Sequence, residues 1–372
     1  MATIAAISLD LTVKGGELVK PGLREHLAAW LDRVGVLTAV IEVRRRTPIP
    51  TASILTYHHI HDAADATTGY LFNPDVADAT PAQFRRQLEA VARFGTPIGI
   101  ETLLGALRGG PLPPNPVMIT FDDGYRSCHD VALPILRELG IPATFFIATT
   151  FVSRRRLYWW EAIATLLARA RGRTATLTYP YHLVIDPSVP HTRRQLDRLV
   201  KTTWMLDIDR FVSELAAALD VEWTREIETA HANELIMTWD QIRALAATGM
   251  GIESHTRSHR VLQTLDAAAL HDELLGSRRD LEAQLGRPVR AIAYPVGKRV
   301  PGDVRVRAAV AAAGYQIGLH NSGGINALWP SALRGVLPLD PLDLRRIATE
   351  RSMSDAMFLT QVAVPPLGYA AS

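Results

Sequence analysis

The sequence predicts an α/β fold built on a mainly parallel sheet, either open or closed into a barrel. Along most of the chain, apolar strand candidates alternate with helical stretches of the length that βαβ units use. The 372 residues are 48% apolar and 21% charged, which is ordinary globular composition with enough apolar side chains for a large core.

The first 50 residues indicate a helical lead-in, "PGLREHLAAWLDRVGVL", before the alternation begins. Its apolar positions at three-and-four spacing are Leu23, Leu27, Trp30, Leu31 and Val34. From residue 51, "SILTYHHIHD" predicts a strand. "TPAQFRRQLEAVARFG" then predicts a helix that is capped by Thr80 and stopped by a glycine. The later strand candidates are "PVMITF", "PATFFIATTFV", "MGIES", "VRAIAYP" and "YQIGLH".

The alternation is interrupted between residues 155 and 237. Two amphipathic stretches there surround a short apolar run, which predicts a mainly helical insertion between two units of the sheet. We therefore divide the chain into a lead-in (1–50), a sheet domain (51–350) interrupted by the insertion (155–237), and a C-terminal tail (351–372).

Several classes of protein are disfavoured by composition. Cys128 is the single cysteine, so neither an intramolecular disulfide nor a cysteine-based zinc site is expected. The net charge is +2 with arginines spread along the chain, which does not indicate a nucleic-acid surface. No signal peptide and no membrane span are recognised, so we expect a cytoplasmic protein. Peripheral membrane association and the oligomeric state stay open.

Two carboxylates, Asp122 and Asp123, end the strand "PVMITF" and precede Gly124. Functional groups of α/β folds lie at the carboxyl ends of strands. Neighbours in a strand point to opposite faces, but a glycine permits backbone conformations that could turn both carboxylates into one pocket. Two adjacent like charges are unfavourable unless a positive group lies near them or they have different roles.

A second polar segment, "SHTRSH", follows the strand "GIES" and contains His255 and His259 four residues apart. Two histidines at this spacing can bind one metal ion. One aspartate and two histidines leave an open coordination position, which is the pattern of a catalytic zinc site. One carboxylate would then bind the cation, and the other would stay free as a base. Zinc suits these ligands best, and Co²⁺, Ni²⁺ or Mn²⁺ also fit them.

Three motifs resemble those of the polysaccharide deacetylases with a NodB-homology domain, carbohydrate esterase family four. "TFDDG" (Thr120–Gly124) resembles the first motif, "HTRSH" (His255–His259) the second and "AYPVGKR" (Ala293–Arg299) the third. The upstream "ILTYHHI" is also similar, and the resemblance extends from about residue 50 to about residue 350 outside the insertion.

The resemblance implies a distorted (β/α) barrel and a metal-dependent N-deacetylase. In the family pattern Asp122 is the general base, and Asp123, His255 and His259 bind the metal. The substrate would be an N-acetylated amino sugar in a glycan or a lipid-linked saccharide. Asp122 would take a proton from the attacking water, and the backbone N–H of Tyr125 would contact the oxyanion.

The chain departs from the family pattern at two places. The arginine that often opens the third motif is replaced by Ala291–Ala293, and we expect Arg334 in "ALRGVLPLD" to orient the base instead. The general acid expected near the last motif is His320 in "IGLHNSGG", although it comes early. If His320 has no role, His58 or His59 of "TYHHI" could line the pocket, and for His59 a structural role is preferred.

Further substrate contacts are expected from Trp160, in the "LYWWE" that opens the insertion, because aromatic side chains stack on sugar rings. The alternative is that this Trp pair belongs to the core. Tyr294 and Pro295 are expected to shape the pocket wall.

Two other functions remain open: a deformylase or amidase acting on a lipid-linked sugar or small amide, and a catalytically silent glycan-binding relative. "HTRSH" lacks the glutamate of the metalloprotease helix, and no Gly-x-Ser-x-Gly elbow is present. The glycines of "GMGIES" follow a helix, which disfavours a dinucleotide site.

Overall fold

The computed structural model describes most of the chain. The described residues are 22–46, 51–62, 73, 76–170, 172, 174–189, 191–300, 302–328 and 339–363.

A single large sheet dominates the described part of the molecule. Its strands are β1 (Thr51–Tyr57), β4 (Thr96–Ile98), β5 (Pro116–Phe121), β6 (Ala143–Ile147), β9 (Gly251–Ser254), β10 (Ala291–Ala293), β11 (Ile317–His320), β12 (Asn326–Ala327), β13 (Leu344–Arg345) and β14 (Ile347–Ala348). Strands β2 (His59–Ile60) and β3 (Ala77–Ala79) form a small parallel pair, and β7 (Ala175–Leu177) and β8 (Leu183–Ile185) form a hairpin.

The large sheet curls into the predicted distorted (β/α) barrel. Its parallel order is β1-β5-β6-β9-β10-β11-β13, and β4 and β12 lie at its periphery. Strand β13 pairs with β11, while β14 pairs with β1 at the other end of the series. Since Arg346 alone separates β13 from β14, this short segment brings the first and last strands of the barrel together.

Helices cover the outside of the barrel and form the additions to it. They are α1 (Gly22–Arg33), α2 (Val36–Arg46), α3 (Pro81–Phe94), α4 (Ile100–Leu107), α5 (Leu133–Glu138), α6 (Thr149–Arg154), α7 (Trp159–Arg169), α8 (His191–Thr202), α9 (Ile208–Ala218), α10 (Arg225–Leu235), α11 (Trp239–Ala247), α12 (Ala267–His271), α13 (Ser277–Leu285), α14 (Val304–Ala312) and α15 (Asp355–Ala363). Short π or 3₁₀ segments adjoin α5, α12 and α13 and follow β10.

The insertion consists of α7, the β7–β8 hairpin, α8, α9 and α10. Within residues 22–46, the described part of the lead-in, Gly35 at φ 77° separates α1 from α2. Both pack with α15 of the C-terminal tail, through buried Leu37 and Ile41 among others. Leu27 and Trp30 of the predicted apolar stripe are instead more than half exposed.

Within the described ranges, no helix combines the length and apolarity that crossing a membrane requires.

Alternation along the strands sorts side chains between two apolar clusters. Ile54, Met118 and Phe146 belong to one cluster, and their neighbours Leu55, Ile119 and Phe145 belong to the other, which packs against the outer helices. The strand register sets Tyr57 beside Phe121 and Ile147 beside Ser254. The loops that follow these strands therefore begin at one rim of the barrel, where the polar motifs lie.

Candidate active site

The segment Asp122–Arg126, which we call the catalytic turn, leaves β5 with both carboxylates on one side. Asp123 has φ 70° and Gly124 has φ 98°, both in the left-handed region that residues other than glycine seldom adopt. The two carboxylates consequently approach the same imidazole, with His255 Nε2 at 3.8 Å from Asp122 Oδ2 and 3.3 Å from Asp123 Oδ1. Both aspartates are almost completely buried.

Asp123, His255 and His259 form a compact cluster whose donor atoms all lie within 4.8 Å of one another. His259 Nε2 is 3.4 Å from Asp123 Oδ1. That oxygen is buried and makes no hydrogen bond to any described residue. Burying a carboxylate oxygen without a hydrogen bond costs free energy unless a further positive group binds it. One carboxylate and two imidazoles are a donor set that fits Zn²⁺.

The two imidazoles of the cluster are in states suited to binding a cation. His255 Nδ1 lies 2.8 Å from the Ala293 carbonyl oxygen, so it carries the proton and leaves the Nε2 lone pair free. Burial lowers the pKa of His259 to about 3, although Asp123 opposes this, so that ring is neutral. Neutral imidazole is the form that binds metal. His259 itself has φ 53°, so a strained backbone sets its position.

Asp122 is paired with a buried arginine. Arg346 Nη1 donates to Asp122 Oδ1 at 2.7 Å and Nη2 donates to Oδ2 at 2.6 Å, which is bidentate geometry. The arginine side chain is 0% exposed. Burial alone would raise the pKa of Asp122, but Arg346, together with His255 and His58, holds it well below its ordinary value. Asp122 is therefore an ionised carboxylate of fixed orientation.

Arg346 was missed by the sequence reasoning, which assigned the orienting role to Arg334. Arg334 lies outside the described residues, and the guanidinium that contacts Asp122 comes from the junction of β13 and β14. The available signal was a charged pair inside an apolar stretch, "LDLRRIATE". Its distance from Asp122, 224 residues along the chain, gave no local indication of the contact.

His58 also faces the catalytic turn. Its Nε2 is 4.0 Å from Asp122 Oδ2, and its Nδ1 lies 2.9 Å from Asp78 Oδ2 on β3. Asp78 also accepts a hydrogen bond from the His58 backbone N–H. Burial alone would lower the pKa of His58, but Asp78, with smaller contributions from Asp123 and Asp122, raises it to about 9. With its side chain 25% exposed, His58 is a protonated imidazole at the edge of the site.

The other candidate histidines have different surroundings. His320 is fully buried, with Nδ1 2.8 Å from Ser322 Oγ and Nε2 3.0 Å from Asp343 Oδ1. These contacts direct both of its ring nitrogens to groups other than Asp122 and Asp123. His59 Nδ1 lies 2.8 Å from Ser127 Oγ, and burial lowers the pKa of His59 to about 3. Its surroundings agree with the structural role preferred for it.

Four residues predicted to contact the substrate are buried. The Trp160 ring packs on His259 with centroids 4.6 Å apart and is 6% exposed, which favours the core alternative for this residue. Tyr294 donates its hydroxyl proton to the Leu342 carbonyl at 2.9 Å, and Pro295 beside it is also buried. Tyr125 is likewise 0% exposed, its backbone included.

Comparisons with known proteins agree with this architecture. A family model described as polysaccharide deacetylase matches residues 109–318, which is more than half of the chain. A search of curated proteins found no significant match.

Among solved structures, the deacetylase PplD of Streptococcus pyogenes in complex with acetate is similar at 21% identity and a TM-score of 0.53. The alignment covers 86% of this chain and 100% of that one. A polysaccharide deacetylase from Bacillus cereus is similar at 17% identity and a TM-score of 0.50, over 84% and 69% of the two chains. At these identities the likeness concerns the fold.

The Arg346–Asp122 pair allows a test that is independent of any activity. We expect Arg346→Met to lower the free energy of unfolding by about 3–5 kcal/mol, because it leaves a buried carboxylate without a compensating charge. Urea unfolding at pH 7 measures this change. The double variant Asp122→Asn/Arg346→Met should be destabilised less than Arg346→Met, because it no longer contains an unpaired buried carboxylate.

The matched control for this test is an exposed bidentate pair, Arg85 with Glu138. Arg85→Met should lower the unfolding free energy by less than about 1 kcal/mol. Equal losses in Arg346→Met and Arg85→Met would contradict the argument from burial.

Proposed function

The chain belongs to the polysaccharide deacetylase family, and on that premise we propose that it is a metal-dependent N-deacetylase. Its substrate is an N-acetylated amino sugar within a glycan or a lipid-linked saccharide. The observation that carries the proposal is the buried Asp123–His255–His259 cluster with a second, arginine-paired carboxylate beside it.

The metal site of the proposal consists of Asp123, His255 and His259. The lack of a hydrogen-bond partner for Asp123 Oδ1 and the neutral state of His259 both support it. A divalent cation held there, with Zn²⁺ the best match to the donors, would polarise the acetyl carbonyl and lower the pKa of a bound water. Co²⁺, Ni²⁺ or Mn²⁺ would suit similar ligands.

Asp122 is the general base of the proposed reaction. Its ionised carboxylate can accept a proton from the water that attacks the acetyl carbon. The bidentate contact with Arg346 fixes the orientation of this carboxylate. Arg346 thereby takes the orienting role that the sequence assigned to Arg334.

His58 is the general acid of the proposed reaction, in place of His320. It is protonated at neutral pH because of Asp78, and its free Nε2 points towards Asp122. When the tetrahedral intermediate collapses, the amine of the sugar must gain a proton to leave, and His58 Nε2–H can supply it. The proposed base and acid lie close together, with His58 Nε2 4.0 Å from Asp122 Oδ2.

The backbone N–H of Tyr125 is the proposed oxyanion donor. Tyr125 pairs with Ile236 in an isolated antiparallel bridge, whose two hydrogen bonds are made by the flanking residues. In that type of pair the central N–H points away from the partner strand, and among the described residues it has no hydrogen-bond acceptor. A preorganised donor of this kind stabilises charge that develops on the acetyl oxygen.

We expect Asp122→Asn to lower kcat by a factor of about 10²–10⁴, because the amide cannot accept the water proton. Acetate release from a chitooligosaccharide measures kcat. Zinc content should be unchanged, since Asp123 and both histidines remain. A variant with near-normal turnover would contradict the assignment of Asp122 as the base.

We expect chelator treatment to abolish acetate release and Zn²⁺ to restore it. His255→Ala and His259→Ala should each lose most of the zinc bound per protein, as measured by elemental analysis. His129→Ala provides the control, because His129 is partly exposed and contacts Asp130 rather than the cluster. Full zinc occupancy in either cluster variant would overturn the ligand set.

The pH dependence of kcat/KM tests the general acid. Protonated His58 is lost as the pH rises through about 9, so the alkaline limb of the profile should fall there. Asp78→Asn removes the main cause that raises this pKa and should move the alkaline limb to lower pH. If the alkaline limb of the kcat/KM profile stays at the same pH in Asp78→Asn, the ionisation that causes this limb is not that of His58.

Replacement of the two candidate acids separates them directly. His58→Gln should lower kcat by a factor of at least about 10². A greater loss in His320→Gln than in His58→Gln would return the acid role to the residue that the sequence favoured.

A further inference from the structure

The two ends of the insertion meet at the catalytic turn. At its C-terminal end, the Met237 N–H donates to the Gly124 carbonyl at 3.0 Å, and the Arg126 N–H donates to the Leu235 carbonyl at 2.6 Å. These two hydrogen bonds flank Tyr125 and form a one-residue antiparallel bridge between Tyr125 and Ile236. The backbone that carries the proposed oxyanion donor is therefore held by the insertion rather than by a barrel strand.

The N-terminal end of the insertion reaches the same place. Tyr158 donates its hydroxyl proton to the Asp123 carbonyl at 3.1 Å. Arg155, at φ 48°, donates to the carbonyls of Ile236 and Met237 at 2.9 and 2.8 Å. Arg155, the first residue of the insertion, therefore binds Ile236 and Met237, the last two. The two ends of the insertion together support the catalytic turn, and we call them the support.

Glu161 lies at the centre of this support. It is 0% exposed, and its Oε1 accepts the Tyr125 hydroxyl proton at 2.7 Å. Its Oε2 accepts the backbone N–H of Asn73 at 2.6 Å. The Tyr125 oxygen also accepts the Trp160 Nε1–H at 2.8 Å. The Tyr125 ring is consequently fixed at its tip by two residues of α7, while its backbone is fixed by the bridge.

A carboxyl group at this position is unfavourable on solvation grounds alone. Burial raises the pKa of Glu161 to about 7, and the hydrogen bonds from Asn73 and Tyr125 only partly oppose this. An apolar residue would pack against the barrel without the desolvation penalty. The contacts of Glu161 account for its presence better than helix packing does.

We infer that Glu161, in the insertion, is a positioning residue, which holds Tyr125 so that its backbone N–H meets the developing oxyanion. This inference rests on the proposed function for its effect on turnover. Trp160 extends the same support to the proposed metal site, since its ring packs on His259.

The inference predicts an effect on kcat rather than on KM. Tyr125 contacts charge that develops in the transition state, so its displacement should leave ground-state binding almost unchanged. Removing an oxyanion donor outright lowers kcat by about 10²–10³, and a donor that is displaced should lose less, about tenfold. KM should stay within about twofold of the wild-type value.

The kinetic experiment is a double-mutant cycle of Glu161→Gln and Tyr125→Phe. Each single variant should show the expected loss of kcat. The rate is divided by the amount of bound zinc, so that unfolded protein does not contribute. Because Glu161 acts through the Tyr125 hydroxyl, Glu161→Gln should cause almost no further loss in the Tyr125→Phe background. An equal further loss in that background would show that Glu161 acts independently of the Tyr125 hydroxyl, and the inference would be overturned.

Glu228→Gln is the matched control. Glu228 is another buried carboxylate of the insertion, but its hydrogen bonds come from Arg156, Arg225 and the Leu157 backbone, and among the described residues none comes from Asp122–Arg126. Its replacement should lower thermal stability and leave kcat within about twofold of wild type. A loss of kcat equal to that of Glu161→Gln would count against a specific role for Glu161.

Hydrogen exchange on the zinc-free protein gives a readout that needs no activity. The amides of Arg126 and Met237 should exchange about tenfold faster in Glu161→Gln than in wild type, and at the wild-type rate in Glu228→Gln. If both variants exchange like wild type, the support does not depend on Glu161. If exchange changes as expected but wild type releases no acetate, the proposed function fails while the positioning of Tyr125 stands.

Discussion

Two adjacent carboxylates buried at the mouth of a barrel are the constraint on which this site depends. Asp122 and Asp123 cannot both be ionised in a dry environment unless positive charge lies beside them. Arg346 compensates Asp122, and the proposed cation compensates Asp123. Arg346 lies between β13 and β14, the two strands that close the barrel. Closure of the sheet therefore also places Arg346 beside Asp122.

The same neighbourhood gives chemically similar histidines different properties. His58 carries a proton because Asp78 lies behind it, whereas burial keeps His59 and His259 neutral. His255 is fixed as one tautomer by the carbonyl of Ala293, in the third motif. The proposed proton donor and the two proposed metal ligands therefore differ because each imidazole has a different neighbouring group.

Backbone strain at the site is supported from outside the barrel. Asp123, Thr256 and His259 all adopt positive φ, which is unfavourable for residues with a side chain. The insertion provides much of the support for the turn after β5, through the bridge at Tyr125 and the contacts of Tyr158 and Glu161. A segment that interrupts the sheet in sequence therefore contacts, in the folded structure, the turn that carries Asp122 and Asp123.

Local patterns in the sequence determined the strand–helix alternation and the short-range pairs: Asp122 beside Asp123, and His255 four residues from His259. Periodicity, turn residues and close spacing report such features because they act over a few residues. Only the tertiary structure decided that Arg346 rather than another arginine meets Asp122, that Asp78 lies behind His58, and that Trp160 packs against His259. Those contacts join segments 20 to 224 residues apart, and they depend on barrel closure and on how the insertion docks, neither of which any local pattern encodes.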